Sequence, residues 1–226
     1  MLLIRKHLIL SDGTSIQQGG VASRAGTAYD AVISRALGRE IFNIGFANNG
    51  VMELSVAAML VDIKEAAAIV IDCALPSSIT SSRFVLHLAL TLRSCSTGLP
   101  NMNTAQVLNR TVPLVKYLRV HGHATTPIVL AEGTPTPADW LNSSVHGVWP
   151  DEKNAALRSQ YEALLAGGED ASRLHYVSAN ELFRKALTAG PEGLWVNPTV
   201  GGIHSSDLGQ FEIADWYVGY LPSVLR

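Results

Sequence analysis

The sequence predicts an α/β fold: a parallel sheet with helices on both of its faces. Three observations carry this expectation. Across 226 residues, strand-like apolar runs alternate about five times with segments of helical periodicity, the pattern that successive strand–helix–strand units produce. Residues 66–73 (AAAIVIDC) are nearly all apolar, as a central strand covered on both faces must be. Residues 151–165 place Leu157, Tyr161, Leu164 and Leu165 on one face of a helix.

The remaining elements follow in chain order. Residues 8–10 form a short apolar run, and Ser11-Asp12-Gly13 after it reads as a turn. Residues 28–37 read as a helix closed by Gly38, since glycine adopts the left-handed angles of a C-terminal cap without penalty. Residues 41–44 are the next strand. Residues 51–63 read as a helix, with Met52, Val56, Met59, Leu60 and Ile63 on one face. Beyond the central strand, residues 103–118 read as a helix that Pro113 should kink. Residues 127–131 form a second buried strand and 174–177 a short last one. Residues 207–220 read as a closing helix.

Residues 74–98 break the pattern. They contain no acidic residue and many serines, and a Leu-Pro pair flanks them at either end (Leu75-Pro76 and Leu99-Pro100). The stretch reads as an insertion, either a surface helix or a remnant never selected to fold. The expectation is a mobile excursion at the rim of the site, with residues 1–226 otherwise one domain.

Composition narrows the function. Hydrophobic residues make up 47% of the chain and charged residues 16%, with a net charge of −2; this is a globular chain without a basic face for nucleic acid. Its two cysteines, Cys73 and Cys95, match neither a disulfide framework nor a zinc motif and read as reduced, partly buried thiols. The opening MLLIRKHLIL is too short and too interrupted by charge for a signal peptide. No apolar run reaches the length of a membrane span. The chain as given therefore reads as soluble and unexported, cytoplasmic by default, and the sequons at Asn109 and Asn142 matter only in a secreted protein.

Two short stretches carry candidate chemistry. In Gly13-Thr14-Ser15-Ile16, a serine stands in a tight turn after a strand, where its hydroxyl and the nearby backbone N–H groups can face a reacting carbonyl. The same residues also fit a plain helix cap. The stretch is not a G-x-S-x-G elbow, because Gln17 occupies the second glycine position. Gly202-Ile203-His204 sets a histidine in a loop before the closing helix. His7, His87, His121, His123, His146 and His175 show no partner pattern, and His121-Gly122-His123 reads as a surface turn after a helix. No metal-binding H-E-x-x-H, phosphate loop or G-x-G-x-x-G is present.

In order and spacing these pieces resemble the SGNH/GDSL hydrolases, over almost the whole chain. Gly13-Thr14-Ser15-Ile16 resembles the family's first block, with Ser15 at the nucleophile. Residues 43–50 (NIGFANNG) resemble its N-x-G-x-S-G-N-G block, and the oxyanion-hole glycine falls on Asn48. Asp72-Cys73 and Leu99-Pro100-Asn101-Met102 look like two halves of a D-C-L-P-N-M block, whose asparagine, here Asn101, lends its side chain to the oxyanion hole. Residues 201–205 (GGIHS) resemble D-G-x-H-P, with His204 as the base and Gly201 at the position of the missing triad acid. The family's fold is a three-layer α/β/α sandwich on a flavodoxin-like parallel sheet of five strands.

The resemblance implies a serine esterase acting on short-chain, acetyl-type carboxylic esters, possibly of carbohydrates, through a Ser15–His204 dyad and an acyl-enzyme. The oxyanion would rest on the N–H groups of Ser15 and Asn48 and the Asn101 amide. It implies a small-molecule ester as partner, no cofactor, no metal, no nucleic acid and no membrane, and leaves the oligomeric state open. Two readings stand beside it: a catalytically degenerate member with a binding role, which Gly201 and the split block favour, and an acyltransferase using the same dyad. Glu53, Glu132, Asp139 and Trp140 fall near strand ends as candidate lining residues.

Overall fold

The computed structural model describes residues 8–47, 49–74, 102–133, 151–178, 199–200 and 204–225. The strands are β1 (Leu8–Gly13), β2 (Ile41–Gly45), β3 (Ala66–Ala74), β4 (Ile128–Glu132) and β5 (Leu174–Val177). They form one five-stranded sheet in the order β2-β1-β3-β4-β5, parallel throughout. The helices are α1 (Tyr29–Leu37), α2 (Leu54–Leu60), α3 (Thr104–His121), α4 (Asp151–Ala166) and α5 (Asp207–Val224).

The period of two along the strands divides the core between the two faces. Leu10, Ile69, Ile71, Ile128 and Leu130 point to one side, where Leu60 of α2, Leu114 and Leu118 of α3, and Leu157 of α4 meet them. Ile9, Ala68, Val70, Val129 and Val177 point to the other, against Tyr29 and Ile33 of α1 and Ile213, Tyr217 and Leu221 of α5. Each large aliphatic side chain so buried contributes about 1.5–3 kcal/mol. The result is the α/β/α sandwich expected from the sequence. Strand order reverses at β1, which has β2 on one side and β3 on the other; in parallel sheets, sites form beyond the strand ends at such a point.

Several boundaries differ from the expectation. Ser11-Asp12-Gly13 is strand, not turn, because it pairs on both sides, with Asn43–Gly45 of β2 and with Val70–Asp72 of β3; the turn begins at Thr14. The helix expected over 51–63 spans only Leu54–Leu60. Gly50 and Met52 have φ of 78° and 54°, which no helix accommodates, and Met59 faces outward, 57% exposed. A Cβ on Gly50 would lie 2.0 Å from the Gly13 carbonyl oxygen, so residues before α2 are committed to packing on the end of β1.

Gly38 caps α1 in the left-handed conformation, its N–H on the Ser34 carbonyl. Asn103 caps α3 through a reciprocal box with Gln106, worth about 1 kcal/mol. That helix continues through Pro113 to His121. His121-Gly122-His123 turns off the helix end with His121 and Gly122 exposed, as expected, but His123 is buried, its Nε2 2.9 Å from the Leu60 carbonyl oxygen. Among the described residues no group of three or more His, Cys, Asp or Glu is placed to hold a metal ion, and no helix is long and apolar enough to cross a membrane. Cys73 is a free, buried thiol. Cys95 and, apart from Ala74 at the end of β3, the whole of the expected insertion at 74–98 lie outside the described residues.

Candidate functional site

Ser15 stands two residues beyond the end of β1, at the point of strand-order reversal. The chain there closes a tight helical turn: the Gln18 N–H donates to the Thr14 carbonyl at 2.9 Å and the Gly20 N–H to the Ser15 carbonyl at 2.8 Å. Ile16 buries behind this turn in the α1/α5 layer, while Ser15 stays half-buried. Among the described residues nothing accepts a hydrogen bond from the Ser15 N–H.

His204 arrives from the other end of the chain. It lies in β7 (His204–Ser205), which pairs antiparallel with β6 (Thr199–Val200), Val200 opposite His204. Two residues later α5 begins, capped by the Ser206 hydroxyl. The His204 Nε2 lies 2.9 Å from the Ser15 Oγ, across 189 residues of sequence. Burial lowers the imidazole pKa from its ordinary value, because desolvation disfavours the cation. The neutral ring can therefore accept a proton through Nε2 at neutral pH, with the other proton on Nδ1. Among the described residues no carboxylate touches His204.

Two contacts that the sequence did not reveal hold this pair together. Gly20 lies between the partners: a Cβ there would sit 2.8 Å from the Ser15 carbonyl oxygen and 3.3 Å from the His204 Cδ2. Asp207, in the first turn of α5, accepts from the Ser23 N–H at 2.8 Å, the Ser23 hydroxyl at 2.5 Å and the Thr27 hydroxyl at 3.0 Å. These bonds lower its pKa and join the helix that follows His204 to the loop that follows Ser15. The run Gln17-Gln18-Gly19-Gly20 and an Asp at the start of α5 were the only signals in the sequence.

Asn48, Asn101 and Gly201 lie outside the described residues, as do Asp139 and Trp140. Glu53 precedes α2 and accepts from the Val51 N–H at 3.0 Å. Glu132 does not line an open site. It is 3% exposed and receives the Tyr176 hydroxyl at 2.5 Å and the Ser178 hydroxyl at 2.7 Å, beside the Arg158 guanidinium at 3.3 Å.

Among solved structures, a Bacteroides ovatus ATCC 8483 protein assigned as a GDSL-like lipase is 28% identical at a TM-score of 0.74, over 98% of this chain and 54% of that one. The salicylyl-acyltransferase SsfX3 from a tetracycline biosynthetic pathway is 19% identical at 0.65, over 96% and 56%. A two-domain esterase active on acetylated mannans is 14% identical at 0.58, over 98% and 51%. The last two likenesses are of fold alone, and this chain spans about half the length of all three proteins. Comparison with curated proteins gives no match. The sequence profile of the GDSL-like Lipase/Acylhydrolase family matches residues 5–221, nearly the whole chain, and the chain belongs to that family.

Proposed function

We propose that the chain is a serine esterase that cleaves short-chain carboxylic esters through Ser15 and His204. One observation carries this reading: the 2.9 Å contact between His204 Nε2 and Ser15 Oγ, which is hydrogen-bond reach between a nucleophile and its base. His204 takes the Ser15 proton as Oγ attacks the ester carbonyl carbon. The negative charge moves to the carbonyl oxygen, which the Ser15 N–H receives, with Asn48 and Asn101 as the further donors that the family pattern assigns. Collapse expels the alkoxide, which His204 protonates. A water molecule, deprotonated by His204, then attacks the acyl-serine and restores Ser15. The enzyme works as a dyad, with Gly201 in place of the acid that orients the imidazole elsewhere in the family. Acetylated carbohydrates are the substrate class we favour, and an esterase of this fold that acts on acetylated mannans is consistent with that choice.

The test is hydrolysis of p-nitrophenyl acetate by the parent chain, Ser15→Ala and His204→Ala. Each variant is expected to lose roughly 10³-fold or more in kcat. Because burial lowers the His204 pKa, the acid limb of kcat/KM should have its midpoint below the ordinary imidazole value of 6.5. A parent no faster than its variants would refute the reading. Acyl transfer to an added alcohol in preference to water would reassign the chain as an acyltransferase.

A further inference from the structure

Behind the Ser15 turn lies a buried polar cluster for which the ester chemistry has no direct use. Gln17 is 1% exposed and Asp30, in the first turn of α1, is 5% exposed. The Gln17 Nε2 donates to the Ser11 Oγ at 2.5 Å and to the Asp30 Oδ2 at 2.7 Å. Asn43 Nδ2 donates to the same Asp30 oxygen at 2.7 Å and to the Gln17 carbonyl at 2.6 Å. Asn43 Oδ1 accepts from the Gly45 N–H at 2.9 Å. The Tyr29 hydroxyl stands 3.1 Å from Gln17 Oε1 and 3.2 Å from Asp72 Oδ2.

Burying a carboxyl group in an apolar layer costs several kcal/mol unless hydrogen bonds offset it. Here the offset comes from two segments that matter to the site. Gln17 is two residues past Ser15, and Asn43 to Gly45 end β2 just before Asn48. A single oxygen of Asp30 holds a side chain from each. The backbones also touch: a Cβ on Gly45 would lie 2.4 Å from the Gln18 nitrogen.

We propose that Asp30 is a positioning residue, tying the Ser15 turn to the end of β2 and so fixing the nucleophile relative to the loop that carries Asn48. Its catalytic consequence rests on the esterase reading above; the clamp itself does not. Desolvation, with the charge of Asp72 second, holds Asp30 up at about 8, so it is protonated at neutral pH. The titratable groups that face it are Asp72, Tyr29 and Tyr217. A neutral carboxyl whose carbonyl oxygen accepts from two amides has a close mimic in asparagine, which supplies the same acceptor with no charge.

The test uses the full chain as Asp30→Ala and Asp30→Asn. Two quantities are read: kcat and KM on p-nitrophenyl acetate, and amide hydrogen exchange by mass spectrometry. Asp30→Ala should lower kcat about 10- to 100-fold with KM within about twofold. Exchange should quicken in residues 14–20 and 43–50 but not in β3 or β4. Asp30→Asn should restore both readouts. Wild-type kcat in Asp30→Ala, unchanged or uniformly raised exchange, or an Asp30→Asn variant as impaired as the alanine would overturn the proposal. If the parent chain does not hydrolyse the ester, the esterase reading falls and the exchange pattern alone decides the clamp. If Asp30→Ala does not fold, Asn43→Ala removes the other arm of the clamp and is read the same way.

Discussion

At the scale of single residues the site depends on how closely backbones approach. Gly20 has no room for a methyl group, since a Cβ would press on the Ser15 carbonyl and on the His204 ring at once. Gly20→Ala should therefore keep the fold but displace the dyad, lowering esterase kcat roughly 100-fold. Steady-state kinetics beside a melting curve would check this, and wild-type kcat would contradict it. Ser15 and His204 stand out in the sequence because their blocks keep the order and spacing of a known family, and the fold brings the two side chains within 2.9 Å. Gly20 does not, because the contacts that demand glycine appear only once the turn brings the Ser15 carbonyl over it and the fold brings in His204. Asp30 was equally hidden: nothing in its neighbours shows that Gln17 and Asn43 converge on it.

At the scale of elements, the first turn of α5 acts as a latch. Asp207 receives three hydrogen bonds from the Ser23–Thr27 loop, and Gln210 Oε1 accepts from the Tyr29 N–H at 2.8 Å. Helix α5, which begins three residues beyond His204, is thereby tied to the loop that follows Ser15. Asp207→Ala should lower kcat roughly tenfold with little change in KM; unchanged kinetics would show that the latch has no part in placing His204. Element boundaries were read less well than element identities. The left-handed residues Gly50 and Met52 shorten the helix expected from residue 51, and the demand for pairing on both sides turns Ser11–Gly13 into strand. In both places a tertiary contact overrides a local preference, which periodicity alone cannot report.

At the scale of the whole molecule, the alternation of apolar runs and helical stripes was enough for a parallel sheet with helices on both faces. The strand order was not in that alternation and came only through the family resemblance. The fold also buries an acidic group of a kind that composition does not reveal. Desolvation raises Asp12 and Asp72 to about 7 and Asp30 to about 8, from an ordinary 3.8. The folded chain keeps these protons where the unfolded chain has lost them, so their contribution is complete below 3.8 and drains away as pH rises to about 8. His123, His175 and His204, all lowered by burial, act oppositely, but only up to about 6.5. Between pH 6.5 and 8 the carboxyls prevail and unfolding stability should fall, by up to roughly 1.4 kcal/mol per group per pH unit. Urea midpoints at the two pH values would show it, with Asp72→Asn flattening the slope; a midpoint that rises toward pH 8 would contradict the assignment.

The most direct test of the central claim is covalent. A fluorophosphonate reacts with a serine whose hydroxyl is activated by a base, and peptide mapping identifies the residue that carries the adduct. The expected result is a stoichiometric adduct on Ser15 that forms far more slowly in His204→Ala and not at all in the unfolded chain. An unlabelled Ser15, or labelling at the same rate without His204, would contradict the claim that these two residues form a catalytic pair.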